Sequence, residues 1–338
     1  MKMKKAELQN VLQKVKPGLA KRDVIEQFTH FIFTGTSVIT YNDEICISHP
    51  LVTEFQCSAK SDEFFKAVNS IDSDEIDIDL DDEGKINITS NKAKGYLLTT
   101  PEEDDAEHLI KALNLEAIGD NWKKLPADFV RGASLSMFSA SSDLTKGIYT
   151  CVSADGNLLT SADGIRISIY EMEDAVDPFL IPALNVSELV KFDIKYYFIS
   201  ESWAHFKTED GVVFSSRIME GDYPSMEEFF NIEGEELELP TKLKGVIDSI
   251  TFMVDGKTEL DKFIDVFIYP DKIECKAQKK NIGQFEKEID FESNVEKLHL
   301  VINPNFLMQV LEKATTVVIG ETSVLFITDS FNHIISLV

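Results

Sequence analysis

Much of what would mark an enzyme, a metalloprotein or a membrane protein is missing from this chain. No apolar run approaches the roughly 20 residues needed to span a bilayer, and no apolar leader stands at the front, so a cytoplasmic protein with no membrane partner is expected. Cys46, Cys57, Cys151 and Cys275 are scattered without CxxC spacing, and three of them sit in strand-like apolar runs, the pattern of reduced core thiols. The histidines, His30, His49, His108, His205, His299 and His333, show no HExxH or paired ligand spacing. There is no G-x-S-x-G elbow, no phosphate loop and no G-x-G-x-x-G. Asp77, Asp79, Asp81 and Asp82 invite a calcium-loop reading and fail it: where such a loop needs Gly it has Asp82, and where it needs the closing Glu it has Ile88. From Glu75 to Asp81 the acids alternate with Ile76, Ile78 and Leu80, which describes a half-buried strand turning at Asp82-Glu83-Gly84. No catalytic group, metal or cofactor is expected.

Basic residues are scarce as well. Against 59 Asp and Glu stand 33 Lys and Arg, a net charge of −26, which argues against a simple nucleic-acid binder with a basic face and high pI. Net charge is an average, however, and a molecule acidic on one surface can be basic on another. The acid is gathered in residues 72–83, 102–107, 171–177 and 227–238, which read as strand edges and linkers. Cations recur near the predicted helices instead: Lys4, Lys5, Lys14, Lys16, Lys21 and Arg22 around the first, Lys123, Lys124 and Arg131 around the third, Lys191 and Lys195 on the fourth, Lys242 and Lys244 on the fifth.

What is present is a repeat. At 338 residues and 43% hydrophobic the chain has material for two or three cores. An amphipathic helical segment opens near Met3 (Leu8, Val11, Leu12, Val15), a second at Leu125-Pro126 (Phe129, Ala133, Leu135, Met137) and a third at Leu239-Pro240 (Leu243, Val246, Ile247, Ile250, Phe252). Roughly 60 residues after each comes another helical stretch, over 62–71, 186–194 and 303–314. Between them lie short β-rich runs with turn signals, at 37–47, 147–152, 212–218, 263–275 and 324–337. Three units in the order helix, strands, helix, strands give an α+β chain with domains at 1–120, 121–236 and 237–338.

The segment Val213-Phe214-Ser215-Ser216-Arg217-Ile218-Met219-Glu220-Gly221-Asp222-Tyr223-Pro224 closely resembles a signature of the bacterial replicative-polymerase β sliding clamp. Residues 157–169, NLLTSADGIRISI, resemble that family's Ala-Thr-Asp-Gly-His-Arg-Leu strand-turn-strand: Asp163, Gly164 and Arg166 match, while Ile165 replaces the His and Ile167 the Leu. Residues 138–149, FSASSDLTKGIY, resemble the loop that leaves the first helix of the middle domain. The end, His333-Ile334-Ile335-Ser336-Leu337-Val338, keeps the family's strand and lacks its usual Pro and final Arg-Leu, which suggests a divergent member, for instance one encoded by a phage.

The resemblance implies a DNA-clamp fold, two helices per domain lining a hole and antiparallel sheets outside. At about 10 Å between neighbours, about six helices enclose an opening of only about 9 Å, too narrow for a duplex roughly 20 Å wide, whereas about twelve leave about 28 Å. Two chains are thus the smallest working ring, and the family's arrangement is a head-to-tail homodimer, with Tyr96 and Leu98 of one copy facing Phe252 and Met253 of the other. It further implies a processivity factor that holds double-stranded DNA without sequence preference. The matching DNA-contacting residues are Lys21, Arg22, Thr145 and Lys146, joined by the helix-associated cations Lys14, Arg131, Lys191 and Lys195. A DNA polymerase and an ATP-driven clamp loader would dock a short apolar peptide on a pocket of Tyr149, Gly164, Ile165, Arg166, Ile167, Ile334 and Val338. The reading that competes is a non-catalytic clamp-fold scaffold that binds only proteins.

Overall fold

The computed structural model describes residues 1–21, 26–99, 113 and 115–338. Arg22, His108 and the acidic stretch 102–107 lie outside the described residues. The chain forms two compact units: Met1–Val130 with Leu184–Glu220, and Arg131–Ala183 with Gly221–Val338.

The helices bury the apolar faces that their periodicity announces. Lys5–Val15 buries Leu8, Val11, Leu12 and Val15; Leu243–Ile250 buries Leu243, Val246, Ile247 and Ile250; Pro304–Leu311 buries Phe306, Leu307, Val310 and Leu311. The last begins at an N-cap: Asn303 Oδ1 accepts the backbone N–H groups of Asn305 and Phe306 at 2.9 and 3.2 Å, and Pro304 stands where a missing N–H costs nothing. The other α-helices among the described residues are Ser61–Asn69, Leu115–Ile118, Phe129–Ser136 and Ala183–Leu189.

Several boundaries depart from the sequence expectation. Met3 does not open a helix; it sits in the strand Lys2–Lys4, paired with Ile76, and the helix starts at Lys5. The helices expected at Leu125-Pro126 and Leu239-Pro240 start at Phe129 and Leu243, because each proline precedes the first turn. The one expected over 186–194 ends at Leu189, and Ile194 already opens the strand Ile194–Ile199. Residues 147–150 are not strand: Leu144–Thr150 forms 3-10 turns kinked at Gly147, and the strand begins at Cys151. Local bonds explain this, since Asp143 accepts from Thr145 N at 3.0 Å and Thr150 Oγ1 donates to Gly147 O at 2.8 Å.

All strand pairs among the described residues are antiparallel. The first unit holds an eight-stranded sheet in the order Cys57–Lys60, His30–Phe33, Ser37–Tyr41, Ile45–Pro50, Val213–Arg217, Trp203–Thr208, Ile194–Ile199, Lys123–Lys124. Its halves meet where Val213–Arg217 pairs with Ile45–Pro50, Phe214 opposite Ile47. The same unit holds a four-stranded sheet, Lys2–Lys4, Glu75–Leu80, Lys85–Thr89 and Lys94–Leu98. In the second unit a six-stranded sheet runs Cys151–Ala162, Arg166–Pro182, Phe331–Ser336, Ser323–Ile327, Thr316–Ile319, Glu235–Glu238. Its first two strands are long, with register breaks around Gly156. Beside it stands a four-stranded sheet, Gly283–Asp290, Lys272–Lys279, Ile264–Ile268 and Leu298–Ile302.

The acid-rich run 75–81 is the half-buried strand its alternation describes, with Ile76 and Ile78 buried and Asp81 Oδ1 accepting from Glu83 N and Lys85 N in the turn. All the cysteines are buried and outside any disulfide, and burial pushes the thiols of Cys46 and Cys275 up to about 12. Among the described residues no helix is long and apolar enough to cross a membrane, and no cluster of His, Cys, Asp and Glu could hold a metal ion.

Candidate functional site

Three surfaces collect the residues that the sequence singles out. The first is a pair of sheet edges. In the first unit, Lys94–Leu98 ends its four-stranded sheet with Tyr96 and Leu98 59% and 70% exposed, and Lys85 Nζ lies 5.2 Å from the Tyr96 ring. In the second unit, Gly283–Asp290 ends its sheet, and Phe252, itself 62% exposed, packs on Phe285 of that strand with ring centroids 5.3 Å apart. Met253 is half-buried beside them. Phe285 and Ile282 are exposed apolar residues that sequence reading passes over, because they are set among Lys, Asn, Gln and Glu in a stretch that reads as polar surface. Large apolar side chains on an open strand edge mark a site for further pairing.

The second surface carries charge. In the first unit Lys14, Lys16 and Lys191 line a recess of about 850 Å³ together with Glu188, Asp193 and Asp210. Lys14 Nζ lies 3.5 Å from Asp210 Oδ2, and Lys191 Nζ 2.6 Å from Glu188 Oε2; Lys195 Nζ is 2.6 Å from Asp193 Oδ1. Lys21 is exposed on the same unit. Arg131, Thr145 and Lys146 are exposed on the other, the last two on the turns after Asp143, whose carboxyl is held below its ordinary range by hydrogen bonds from Thr145.

The third surface is built around the turn at Asp163-Gly164. Asp163 Oδ1 accepts from the backbone of Ile165 and Arg166, both at 3.0 Å, and Gly164 takes φ +94°, a left-handed conformation suited to glycine. The turn aims Arg166 and Ile167 to opposite sides of the sheet, as consecutive strand residues must be. Arg166 is buried: Nε donates to Asp163 Oδ2 at 2.9 Å, Nη1 donates to Gln309 Oε1 at 2.5 Å, and the guanidinium lies 4.0 Å from the Phe306 ring centroid. Ile167, with Tyr149 and Leu158, packs on a cluster of Ala162, Ile169 and Met226, joined by Tyr223 and Phe230. Ile334 is the register partner of Ile167 and is buried. Ile165 offers its carbonyl to Ser336 N at 2.8 Å, and the exposed Val338 donates its N–H to Val301 at 3.1 Å.

Tyr149, Ile167 and Ile334 therefore share one face of the sheet and the Arg166 head occupies the other. A small recess on the Ile167 side is lined by Leu158, Ile169, Glu171, Phe230 and Asn332, with Phe229 exposed nearby in sequence. Phe229 and Phe230 were legible only as an aromatic pair inside an acidic linker. Tyr223 and Met226 stand in and next to the Gly-Asp-Tyr-Pro signature, which thereby has a packing role: Tyr223 lies edge-on to Tyr149, ring centroids 5.9 Å apart.

Solved structures place this architecture. The DNA polymerase III subunit beta of Pseudomonas aeruginosa matches with a TM-score of 0.84 at 16% identity, over 100% of this chain and 99% of that one. The beta subunit from DNA polymerase of Streptococcus pyogenes gives 0.83 at 17% identity, over 100% and 99%. The DNA polymerase sliding clamp of Bacillus subtilis gives 0.81 at 18% identity, over 100% and 98%. The chain has the α+β sliding-clamp fold. No family model and no curated protein matches its sequence.

Proposed function

We propose that this chain is a non-catalytic sliding clamp, two copies of which close head to tail into a ring around duplex DNA and tether a DNA polymerase to it. The observation that carries this reading is the pair of unpaired sheet edges. Val213–Arg217 and Phe331–Ser336 are each the last of three strands that follow a helix, and each pairs with a strand of a second half-sheet. Lys94–Leu98 holds the same place after the helix Ser61–Asn69, and Gly283–Asp290 holds the place of Ile45–Pro50, yet neither has such a partner among the described residues. A second copy supplies it. Joining Lys94–Leu98 of one copy to Gly283–Asp290 of another yields an eight-stranded sheet like that of the first unit and covers Tyr96, Leu98, Phe252, Met253 and Phe285.

The same repetition supports three domains at 1–120, 121–236 and 237–338: a short strand, a helix, a strand block, a helix and three strands recur three times. In the middle repeat two long, broken strands stand where the others have four. Charge supports the placement of DNA against the helices. Within the six helices that recur in the three repeats, Lys5, Lys14, Lys66, Arg131 and Lys244 are balanced by Glu7, Asp62, Glu63, Glu188 and Asp248, so those helices carry none of the −26. DNA is held through Lys14, Lys21, Arg22, Arg131, Thr145, Lys146, Lys191 and Lys195. Polymerase and an ATP-driven loader dock on the Ile167 face. Mass in solution and a low-resolution image test this: a particle near twice 38.1 kDa with a central hole supports the ring, and a strict monomer at micromolar concentration favours a scaffold that binds only proteins.

A further inference from the structure

The DNA-facing lysines of the first unit come with built-in competitors. Lys14 is paired with Asp210, Lys191 with Glu188 and Lys195 with Asp193, at 3.5, 2.6 and 2.6 Å. The second unit repeats the device, with Lys244 Nζ 2.7 Å from Glu312 Oε1, a contact that holds the Glu312 carboxyl below its ordinary range. Asp210 accepts a hydrogen bond from the Thr208 hydroxyl, which together with Lys14 holds its carboxyl below its ordinary range. We infer that Asp210, Glu188 and Asp193 act as carboxylate competitors of the DNA phosphates, loosening the grip of Lys14, Lys191 and Lys195 so that a closed ring slides.

The physical case rests on distance. Both members of each pair lie well inside the screening length of about 8 Å at physiological salt, so a phosphate approaching the lysine meets a charge already neutralised. To bind directly it must displace the carboxylate, which stays close and repels it. Fewer condensed counterions are released per contact than the full amount for a free cation, and the attraction is weak and shallow in salt. Topological enclosure, not affinity, then keeps the ring on DNA. The pairs are solvent-exposed and contribute little to stability, so the carboxylates can be removed at small cost to the fold.

This inference rests on the clamp reading, and the test separates the two. The combined variant Asp210→Asn, Glu188→Gln, Asp193→Asn keeps shape and hydrogen-bond acceptors while freeing the lysines. Binding to short linear duplex at about 0.1 M salt, where no ring can be trapped, should tighten about tenfold, with a steeper salt slope and slower diffusion along stretched DNA. If the triple variant melts below the parent, Glu188→Gln with Asp193→Asn, whose carboxylates bond only lysines among the described residues, should show the same change at smaller size. Unchanged affinity, slope and diffusion, with the parent still retained on closed circles, overturn the inference and leave the clamp reading standing. A parent that is not retained on circles overturns both.

Discussion

Arg166 and Asp163 close the Gly164 turn with a buried ion pair, Nε to Oδ2 at 2.9 Å, each side chain only 9% exposed. Removing one partner leaves the other charge buried and alone. Arg166→Met should therefore destabilise the fold by about 3–5 kcal/mol, and pairing it with Asp163→Asn should recover much of the loss. Thermal or urea unfolding of the two variants checks this; a single variant as stable as the parent would show that the pair is dispensable.

Acid should weaken the first unit through His205. Its ring is buried between Ser215, 2.8 Å from Nδ1, and Ser200, 3.2 Å from Nε2, and burial lowers its pKa to about 4. The folded value lies below that of the unfolded chain, near 6.5, so the unfolded state takes up the proton first. The neutral ring costs nothing above pH about 6.5; as pH falls from there to about 4, stability should drop by roughly 2–3 kcal/mol, with no further loss from this group below. His205→Gln should flatten that part of the stability–pH curve. An identical curve in variant and parent would assign the acid sensitivity elsewhere.

Assembly should fail when charge is placed on either strand edge. Leu98→Asp and Phe285→Asp alter exposed residues and should leave each protomer folded, but they bury an unpaired ion on pairing, at a cost of several kcal/mol. Met253→Asp should act the same way. Sedimentation at micromolar concentration should show monomers, and variants that stay fully dimeric would put the contact on another surface.

Peptide binding should depend on the Ile167 face. An apolar floor with polar groups at its edge suits a short peptide bearing one or two large apolar side chains, held with micromolar affinity. Ile167→Asp or Phe230→Ala should reduce polymerase stimulation at least tenfold without changing the mass of the particle. Full stimulation by Ile167→Asp would move the docking site away from this face.

Much of this was legible in the chain. Helix faces such as Leu8, Val11, Leu12 and Val15 were readable because 3.6-residue periodicity is local information. The Asp163-Gly164 turn was readable because side-chain acceptance and a positive φ each demand particular residues. Residues 147–150 were not, since a few hydroxyl and carboxylate bonds overrode their β-like composition. Contacts between distant positions were invisible: Ser168 Oγ lies 2.8 Å from His333 Nδ1 and 2.7 Å from Ser139 Oγ, a contact that joins three separate segments of the chain and that none of them announces. Strand alternation alone could have separated Arg166 from Ile167, and Phe285 was hidden in the polar strand that it joins to Phe252.

The most direct test of the account is retention on DNA of two shapes. Loaded onto nicked circular duplex by an ATP-driven clamp loader, the protein should stay bound through gel filtration in about 0.5 M salt and be lost when the circle is cut to linear form. Charge reversal of Lys21 and Lys146 should weaken loading and lower the salt slope by about one unit per lost phosphate contact. Equal retention on circular and linear DNA, or none on either, would contradict a ring that encircles the duplex.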